Sequence, residues 1–500
     1  MNLRDLLSVA HPTLVAGSAD QDVRGLTHDS RTAQQGFLFF ALPGSRTDGN
    51  RHVKDACARG ACAVVSELAP PPPPLSFSAS WIQVPDVLEA MGRMADLFFS
   101  HPSGAFPVFG VTGTSGKTTT SYFLESILRA AGGTPGVLGT VSYRLSGKWE
   151  TPAVNTTPSS LETLRLLARL RDDGATHAVM EVSSHALALK RVEEIDFDAA
   201  VFTNFRSDHL DFHKTAEAYF EAKARLFDLL TKASSTKKRR VAAINADDAK
   251  ARALLHRAVG AEALLYGLGE TASLRALDVQ VGADNTRFEL SFRGRRTKAE
   301  ISLVGEHNLY NALAAAAAAL GLGLSEEAVL EGLRALKSVP GRLEPVEAGQ
   351  KFKIFVDYAH TEDALEAVLK HLARLPHKRI ITVFGCGGQR DRTKRAPMGR
   401  AAQSGSDFTV VTSDNPRGED PLAIIADIEE GLKTSGAKNY KIQPDRKKAV
   451  AEAVAMAREG DIVLIAGKGH ETQQILKDRT VAFDDRDAAR QAVRNQLNAP

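Results

Sequence analysis

A glycine-rich segment of the chain has the residues needed to bind the phosphates of a nucleotide. It reads GVTGTSGKTT over positions 110–119, after an apolar run that predicts a strand and before a run with helical periodicity. Amides at a helix N-terminus attract anions, a lysine adds charge, and a threonine hydroxyl can ligate magnesium. Val111 stands where the strict pattern has glycine, so we expect a variant loop; a helix-capping turn is the alternative. The predicted phosphate-binding residues are Gly113, Thr114, Ser115, Gly116, Lys117, Thr118 and Thr119.

Two other side chains follow apolar runs that predict strands of the same sheet. Glu181 ends the run HAVME, and His209 lies just past AAVFTNF. Because carboxyl ends of parallel strands meet at one sheet edge, both are expected near the phosphate loop. A carboxylate and a neutral imidazole there can hold a divalent metal between phosphates and an acceptor. A helix cap for Glu181 and a hydrogen-bonded loop histidine for His209 are the alternatives.

The elements that must position these residues alternate between strand and helix, which predicts an α/β fold with mainly parallel sheets. Strands are expected at 177–182, 199–205 and 240–245, and a helix at 216–230. We expect three domains, the second a phosphate-loop domain and the third Rossmann-like, over 1–104, 105–338 and 339–500. In the third domain, several predicted strands end in polar clusters, which predicts one site built from residues 357–360, 385–390, 414–417 and 467–471.

Composition excludes several other classes of protein. The 500 residues include 63 basic and 60 acidic side chains, so no global charge indicates nucleic acid or an anionic membrane as a partner. The three cysteines are too few for a disulfide framework. The apolar run 312–324 is too short to span a bilayer, and the N-terminus lacks the pattern of a secretory signal. We therefore expect a cytoplasmic protein, without stable membrane insertion, that acts as a monomer. The basic run 236–240 favours a solvated loop over an anion-binding patch.

Several motifs together resemble the Mur ligases, which are ATP-dependent amide ligases that build the peptidoglycan stem peptide. The sequence contains, in the family's order, GTSGKTT, MEVSSHAL, NFRSDHLDFH, GEHNLYNALAA, VPGRLE and VDYAHTEDAL. GCGGQRDRTKR, DNPRGEDP and AGKGHE resemble the members that add meso-diaminopimelate, and LTHDSR and PGSRTDG resemble their nucleotide-sugar domain. The resemblance covers nearly the whole chain. It implies that a carboxylate is phosphorylated by ATP and that an amine then opens the acyl phosphate.

The resemblance also implies roles for individual residues. ATP would bind to the phosphate loop and to Asn155, Asn308, Arg342, Asp357 and His360. Lys117, Glu181, His209 and Lys223 would be catalytic. Thr118 and Glu181 would face one magnesium ion, and Glu181, His209 and Lys223 would face a second, the lysine being a carbamate formed with carbon dioxide. Without the family pattern, Lys223 is interpreted as a surface lysine. The uridine-linked muramoyl dipeptide would contact Ser30, Ser45, Arg46, Thr47, Thr156, Thr157, Ser183 and Arg191.

The polar clusters at the strand ends of the last domain suit the amine substrate that the resemblance implies. Meso-diaminopimelate carries a carboxylate beside its distal ammonium, so its site needs a fixed cation and a nearby anion. An ordinary turn with a surface arginine is the alternative for DNPR. The implied residues are Arg390, Asp414, Asn415, Pro416, Arg417, Gly467 and Glu471.

Two positions depart from the family's pattern, and two other functions compete with this one. Leu189 replaces a glutamine of some relatives, which puts that contact in doubt, and Glu362 replaces a common proline, a change that we expect to be tolerated. One rival is a related ligase, such as folylpolyglutamate synthase or a lysine-adding muramyl ligase. The other is a phosphate-loop module with a regulatory or kinase function. The latter leaves NFRSDHLDFH, DNPR and GKGHE without a role.

Overall fold

The computed structural model describes residues 1–44, 48–71, 79–206, 208–232, 237–282 and 285–498. The predicted site residues Ser45, Arg46 and Thr47 lie outside these ranges. The chain divides into two compact units. The first comprises Met1–Val279, Phe288–Glu300 and His307–Ala335, and the second comprises Gln280–Arg287, Ile301–Glu306 and Leu336–Pro500.

The first part of the chain forms a small sheet flanked by helices. Its strands are β1 (Leu14–Ala16), β2 (Gly25–Thr27), β3 (Phe37–Phe40), β4 (Ala63–Ser66) and β5 (Ser80–Gln83), and its helices are α1 (Leu3–Ala10), α2 (Val53–Ala58) and α3 (Val87–Phe98). Among the described residues the sheet order is β1-β5-β4-β3-β2. β1 pairs antiparallel to β5, and the remaining neighbours are parallel.

The middle of the chain forms the largest sheet. Its strands are β6 (Val108–Thr112), β7 (Pro135–Leu138), β8 (Ser142–Leu145), β9 (Trp149–Pro152), β10 (His177–Glu181), β11 (Ala199–Phe202), β12 (Val241–Asn245), β13 (Glu262–Gly267), β14 (Leu274–Val281), β15 (Thr286–Phe292) and β16 (Arg295–Ile301). Its helices are α4 (Lys117–Ala130), α5 (Ser160–Asp172), α6 (Ser184–Ala188), α7 (Leu210–His213), α8 (Ala216–Leu230), α9 (Glu306–Gly321) and α10 (Glu326–Ala335). In the described ranges the strand order is β16-β15-β14-β13-β12-β11-β6-β10-β7-β8-β9.

β6 lies near the centre of this sheet, and its position explains its sequence. It pairs in parallel with β10 on one side and β11 on the other, so that Val111 lies opposite Glu181. All of its residues are buried, as expected for a parallel strand covered on both faces. A Cβ at Gly110 would lie 2.8 Å from the Phe197 ring, so glycine lets that ring pack against the strand. The chain leaves β6 at the sheet edge where β10 also ends.

The last part of the chain forms a third, mainly parallel sheet. Its strands are β17 (Glu344–Pro345), β18 (Lys353–Asp357), β19 (Ile380–Phe384), β20 (Phe408–Val411), β21 (Tyr440–Ile442) and β22 (Ile462–Ala466), in the order β17-β18-β22-β19-β20-β21 over the described residues. β23 (Gln473–Ile475) and β24 (Thr480–Ala482) form a separate antiparallel pair. The helices are α11 (Glu362–Leu372), α12 (Arg395–Gly405), α13 (Pro421–Thr434), α14 (Arg446–Met456) and α15 (Asp485–Leu497).

Glu362 is the first residue of α11, directly after the N-cap residue Thr361. The Thr361 side chain accepts a hydrogen bond from the Ala364 amide. The first helical position suits proline, and it also suits an acidic side chain because of the helix dipole. Both residue types therefore suit this position, which supports the expectation that glutamate is tolerated where the family pattern has proline.

A buried ion pair joins the first residues of α14 and α15. The Arg446 Nη2 and Nε atoms donate to the Asp485 carboxylate at 2.7 and 2.8 Å, and both side chains are fully buried. Nη2 also donates to the Ala466 carbonyl at 2.9 Å, so the guanidinium holds the end of β22. We expect Asp485→Ala to destabilise the C-terminal unit by about 3–5 kcal/mol, because an unpaired buried arginine remains. The measurement is the urea midpoint of that unit.

Asp487→Ala, two residues further along α15, is the matched control for this prediction. Its carboxylate pairs with Arg490 at 2.9 Å, but the Asp487 side chain is 76% exposed. Exposed pairs of this kind contribute about 0–1 kcal/mol, so the urea midpoint should scarcely move. Equal shifts for the two variants would contradict a stabilising role for the buried pair.

No helix in the described part of the chain is long and apolar enough to cross a membrane. The apolar run 312–324 falls mostly in α9, whose alanines are buried.

Candidate active site

The glycine-rich loop lies between β6 and α4, as the sequence predicts. Gly113 has φ +144°, and a Cβ there would lie 1.9 Å from the Thr203 hydroxyl oxygen. Gly116 has φ +89°, and its Cβ would lie 2.2 Å from Asn311 Oδ1. Both positions therefore require glycine for conformation and for space. The Lys117 ammonium donates to the carbonyls of Gly113 (2.8 Å) and Thr114 (3.0 Å), so its charge lies within the loop.

The segment after β11 braces this loop. The Thr203 hydroxyl donates to the Ser115 carbonyl at 2.6 Å. The Asn204 side chain makes two hydrogen bonds with the Ser115 backbone. Its Oδ1 accepts from the Ser115 amide at 3.0 Å, and its Nδ2 donates to the Ser115 carbonyl at 3.1 Å. Asn204 is not among the predicted site residues, although it stands in the NFRSDHLDFH motif. The loop and its brace are 89 residues apart in sequence, so only the parallel pairing of β6 with β11 brings them together.

Glu181 is buried at the end of β10 with its carboxylate next to the start of α4. Thr118 and Thr140 each donate a hydroxyl to Glu181 Oε2, at 3.0 and 2.8 Å, and the Thr140 amide donates to Oε1 at 2.9 Å. A hydroxyl and a carboxylate that are already in contact are the hard oxygen donors that magnesium prefers, so these residues fit that ion. Thr140 is a second residue that the sequence analysis missed, because it lies in the turn between β7 and β8.

Lys223 lies inside the first unit and not on its surface, so the interpretation as a surface lysine is wrong. Its side chain is only 1% exposed, and Nζ donates to the Gly113 carbonyl at 2.9 Å. Nζ also lies 4.3 Å from the centre of the Tyr219 ring. Burial, followed by the charge of Lys117, lowers the pKa of Lys223 well below its ordinary value. The amine is therefore biased towards the neutral form, the form that reacts with carbon dioxide.

His209 is placed less tightly than the other predicted metal ligands. It precedes α7 with a positive φ of 53°, and its side chain is 46% exposed. Its ring lies 4.9 Å from that of His185 and 6.0 Å from that of Tyr219. In the described ranges, no three His, Cys, Asp or Glu side chains form a preassembled metal cluster. The structure thus brings Thr118 to Glu181 and Lys223 to the loop, but does not join His209 to Glu181.

The residues predicted for the acceptor substrate surround Glu181. Thr156 Oγ1 lies 3.0 Å from Thr140 Oγ1, and the Thr157 hydroxyl donates to the Glu181 carbonyl at 2.8 Å. The Ser183 amide donates to Thr157 Oγ1 at 3.1 Å, and Arg191 Nη1 donates to the Thr157 carbonyl at 2.9 Å. A guanidinium, hydroxyl groups and a carboxylate therefore lie at one sheet edge, a combination suited to a polar, anionic substrate.

Two predicted residues of the first unit lie apart from this cluster. Asn155 is exposed, and its backbone amide and carbonyl are both held by the Tyr143 hydroxyl, at 3.1 and 2.6 Å. Its side chain is therefore presented to solvent from a fixed backbone. Ser30 begins a turn of 3-10 helix in the first part of the chain and is 9% exposed. The structure does not bring Ser30 into the hydrogen-bond network around Glu181.

The predicted nucleotide-side residues fall in both units. Asn308 is buried on α9 beside Asn311. Asn311 Nδ2 donates to Asn308 Oδ1 at 3.4 Å, and Asn311 Oδ1 accepts from the Thr120 hydroxyl at 3.5 Å. Asn311, one turn after Asn308 in GEHNLYNALAA, was missed by the sequence analysis. The helical spacing of the two asparagines was the available signal, since residues three apart share a helix face.

Arg342, Asp357 and His360 form a cluster in the second unit. The Asp357 carboxylate accepts from the amides of Leu343 and Ala359, both at 2.7 Å, and burial raises its pKa. The Arg342 guanidinium lies 4.8 Å from the centre of the Tyr358 ring, and His360 Nδ1 lies 2.9 Å from the Tyr358 carbonyl. The chain segments at the ends of β17 and β18 thus bring these three residues together.

The polar clusters of the last sheet come together as predicted from their strand-end positions. Arg417 Nη1 donates to the Gly388 carbonyl at 3.0 Å, and Asn415 Nδ2 donates to Glu471 Oε2 at 2.8 Å. A Cβ at Gly467 would lie 2.8 Å from Asp414 Oδ2, so glycine admits the carboxylate. Burial, then the charge of Arg390, lowers the pKa of Arg417. Two guanidiniums and two carboxylates therefore share one site, with Pro416 between Asn415 and Arg417 in the supporting loop.

A phosphate loop at the edge of a parallel sheet, next to a buried carboxylate, defines a phosphate-loop nucleotide-binding protein. The chain belongs to the Mur ligase family. Residues 22–99 match the model of the Mur ligase family, catalytic domain, residues 111–319 match the Mur ligase middle domain, and residues 341–469 match the Mur ligase, glutamate ligase domain.

Individual relatives and solved structures agree with this assignment. The chain is 48% identical to UDP-N-acetylmuramoyl-L-alanyl-D-glutamate--2,6-diaminopimelate ligase of Solibacter usitatus, covering 99% of this chain and 98% of the relative. It is 42% identical to the protein of the same name in Geobacillus thermodenitrificans, covering 99% and 100%. A solved structure of a ligase of this name covers 100% of both chains with 33% identity and a TM-score of 0.68. MurF ligase of Thermotoga maritima in complex with ADP shares the fold, with 21% identity, a TM-score of 0.63 and coverage of 95% and 97%.

Proposed function

We propose that this protein joins an amino group of meso-diaminopimelate to a D-glutamate carboxylate of UDP-N-acetylmuramoyl-L-alanyl-D-glutamate. ATP is consumed, ADP and phosphate are formed, and the product serves peptidoglycan biosynthesis. The observation that carries the proposal is the contact of Thr118 and Thr140 with Glu181, because it joins the phosphate loop to the residues predicted for the acceptor. The full-length relatives that bear this name support the same activity.

The reaction requires activation of the carboxylate, since an amine cannot displace oxide at a useful rate. A carboxylate oxygen of the acceptor attacks the γ-phosphorus of ATP, ADP leaves, and an acyl phosphate forms. The amine nitrogen then attacks the acyl carbon, loses a proton, and expels phosphate together with the transferred oxygen. Lys117 and the amides at the start of α4 stabilise the negative charge on the phosphoryl group. Magnesium, when bound, would neutralise further charge on the phosphate oxygens.

Lys223 is proposed to act as a carbamate. An unmodified ammonium repels a metal ion, whereas a carbamate presents anionic oxygens of the kind that magnesium prefers. The position of Nζ, 2.9 Å from the Gly113 carbonyl, would place these oxygens beside the phosphate loop. Together with Glu181 and His209, the carbamate would hold one of two magnesium ions, and Thr118 with Glu181 would hold the other. Carbamate formation joins the neutral amine to carbon dioxide and releases a proton, which the lowered pKa of Lys223 favours.

Domain boundaries, compartment and assembly complete the proposal. We place the domain boundaries at 1–104, 105–338 and 339–500, supported by three family models that begin and end within these ranges. The first would bind the uridine nucleotide, through Ser30 and residues 45–47, and the last would bind the amino acid. We propose that the protein works in the cytoplasm and as a monomer.

The proposal predicts that phosphate release needs both cosubstrates in addition to ATP. Omitting either the muramoyl dipeptide or diaminopimelate should leave only background release, because the acyl phosphate needs both a carboxylate and an amine to complete turnover. The measurement is a coupled phosphate assay with purified protein, comparing diaminopimelate with lysine. Steady phosphate release with ATP alone would instead favour a regulatory or kinase-type nucleotide module. A preference for lysine would favour a lysine-adding ligase.

A further inference from the structure

Lys468 is a buried cation in the last sheet that the proposed mechanism does not use. Lys468 is the second residue after the end of β22, and its side chain is 0% exposed. The flanking residues Gly467 and Gly469 both have positive φ, of 112° and 53°, and a Cβ at Gly469 would lie 2.8 Å from the Tyr358 Cβ. Two glycines in the left-handed region therefore turn the chain so that the lysine points inwards. Burying an ammonium is costly unless it is well paired, so its partners indicate its role.

The partners of Lys468 are two residues of the proposed amine site. Nζ donates to Glu471 Oε2 at 2.8 Å and to Asn415 Oδ1 at 3.0 Å. Asn415 Oδ1 also accepts from the Ile475 amide at 3.0 Å, which fixes the orientation of the side-chain amide. Asn415 Nδ2 must then face Glu471, to which it donates at 2.8 Å. Lys468 therefore holds Asn415 and Glu471 in one arrangement, with Glu471 Oε2 bound twice.

Lys468 also sets the charge of this site. Arg390, Asp414 and Glu471 act electrostatically on Arg417, and Lys468 pairs with Glu471 at 2.8 Å. These three cations and two carboxylates together carry one net positive charge. The nearby Arg446 does not change this balance because Asp485 neutralises it. The distal end of diaminopimelate carries an ammonium and a carboxylate and is neutral overall. The distal end of lysine carries the ammonium alone, so a positive site repels it more.

We propose that Lys468 is a positioning residue that determines specificity for an amino acid with a carboxylate beside its distal ammonium. The proposal rests on the function proposed above and deepens it. Lys468 acts through Asn415 and Glu471, which it orients, and through its charge, which makes a lone distal ammonium unfavourable. Arg417 attracts the extra carboxylate, and Lys468 rejects the substrate that lacks it.

The test compares kcat/KM for diaminopimelate and for lysine in the wild-type protein and in Lys468→Met. We expect the ratio of the two values to fall by about tenfold or more, mainly through KM, since removal of a buried charge partner has effects of this size. KM for ATP should not change. Lys468→Arg retains the charge and should keep most of the discrimination. Lys477→Met, which removes an exposed lysine outside the site, is the matched control and should leave the ratio unchanged.

The outcomes separate this proposal from the function on which it rests. A wild-type protein without diaminopimelate-dependent turnover would overturn the proposed function itself. An active wild type combined with an unaltered ratio in folded Lys468→Met would overturn only the role of Lys468. An equal loss of discrimination in Lys468→Arg would also overturn it, since the proposal requires the positive charge at this position in addition to the orientation of Asn415 and Glu471. Should Lys468→Met not fold, Lys468→Gln, which keeps a donor but not the charge, replaces it with the same expectation.

Discussion

Lys223→Ala is expected to abolish ligase turnover, with kcat reduced by at least about 10²–10³-fold, the loss typical when one preorganised electrostatic contact to a transition state is removed. The side chain lies 2.9 Å from the Gly113 carbonyl in a buried position, so its loss leaves the phosphate loop without the proposed anionic ligand. A short-chain carboxylic acid such as acetate is smaller than the deleted lysine side chain and can supply carboxylate oxygens. We therefore expect partial recovery of turnover with added acetate, measured by phosphate release.

Glu217→Ala provides the control for this variant, because Glu217 lies exposed in the first turn of the same helix, α8. It should retain wild-type turnover and show no response to acetate. Full activity of Lys223→Ala without any acid would end the carbamate proposal. A folded but inactive variant that acetate does not restore would also count against it. The proposal assigns the function to the carbamate oxygens, which the oxygens of acetate should replace.

Arg417→Ala is expected to lose diaminopimelate addition much more than it alters the affinity for ATP. The guanidinium is held by the Gly388 carbonyl and lies beside a second guanidinium, Arg390, in a site that attracts a carboxylate. Loss of a buried partner of a charged group costs about 2–5 kcal/mol, which is roughly a thirty- to several-thousand-fold loss in kcat/KM for diaminopimelate. The measurement is steady-state kinetics with the amino acid and ATP varied separately.

Arg400→Ala is the matched control for Arg417→Ala, since Arg400 is exposed on α12 and outside the proposed site. It should retain wild-type KM values for both substrates. Wild-type kinetics of Arg417→Ala with diaminopimelate would refute the assignment of Arg417 to the distal carboxylate. An equal rise in KM for ATP and for diaminopimelate would contradict it as well, because the assignment concerns the amino acid alone.

Local patterns predicted the main elements of the fold because their periodicity is strong. The expected helix 216–230 coincides with α8, which Thr215 caps at its N-terminus, and the expected strands at 177–182 and 240–245 contain β10 and β12. Strand-end placement also predicted that Glu181 would lie beside the phosphate loop. These inferences succeed because parallel strands share one direction, so residues at their carboxyl ends lie at the same sheet edge. This proximity can be predicted without knowing the conformation of the loops.

Contacts between distant parts of the chain could not be predicted in the same way. Thr140, Asn204 and Asn311 reach the site from a turn, a strand end and a helix, and their importance depends on which neighbour each one faces. The basic run 236–240 illustrates the same limit. Lys238 and Arg239 are exposed in a loop, as expected, but Lys237 is not: its side chain is 9% exposed and pairs with Asp198 at 2.8 Å. The carboxylate that pairs with it lies 39 positions earlier, and no local pattern links the two residues.

Transfer of oxygen from the acceptor to phosphate tests the central claim most directly. The muramoyl dipeptide would be labelled with oxygen-18 in its glutamyl carboxylates and incubated with the protein, ATP, magnesium and diaminopimelate. Mass spectrometry of the released phosphate should find one labelled oxygen per molecule, because the carboxylate oxygen that attacks the γ-phosphorus leaves with phosphate when the amide forms. Unlabelled phosphate, formed together with the amide product, would contradict an acyl phosphate at the site of Lys117, Thr118 and Glu181.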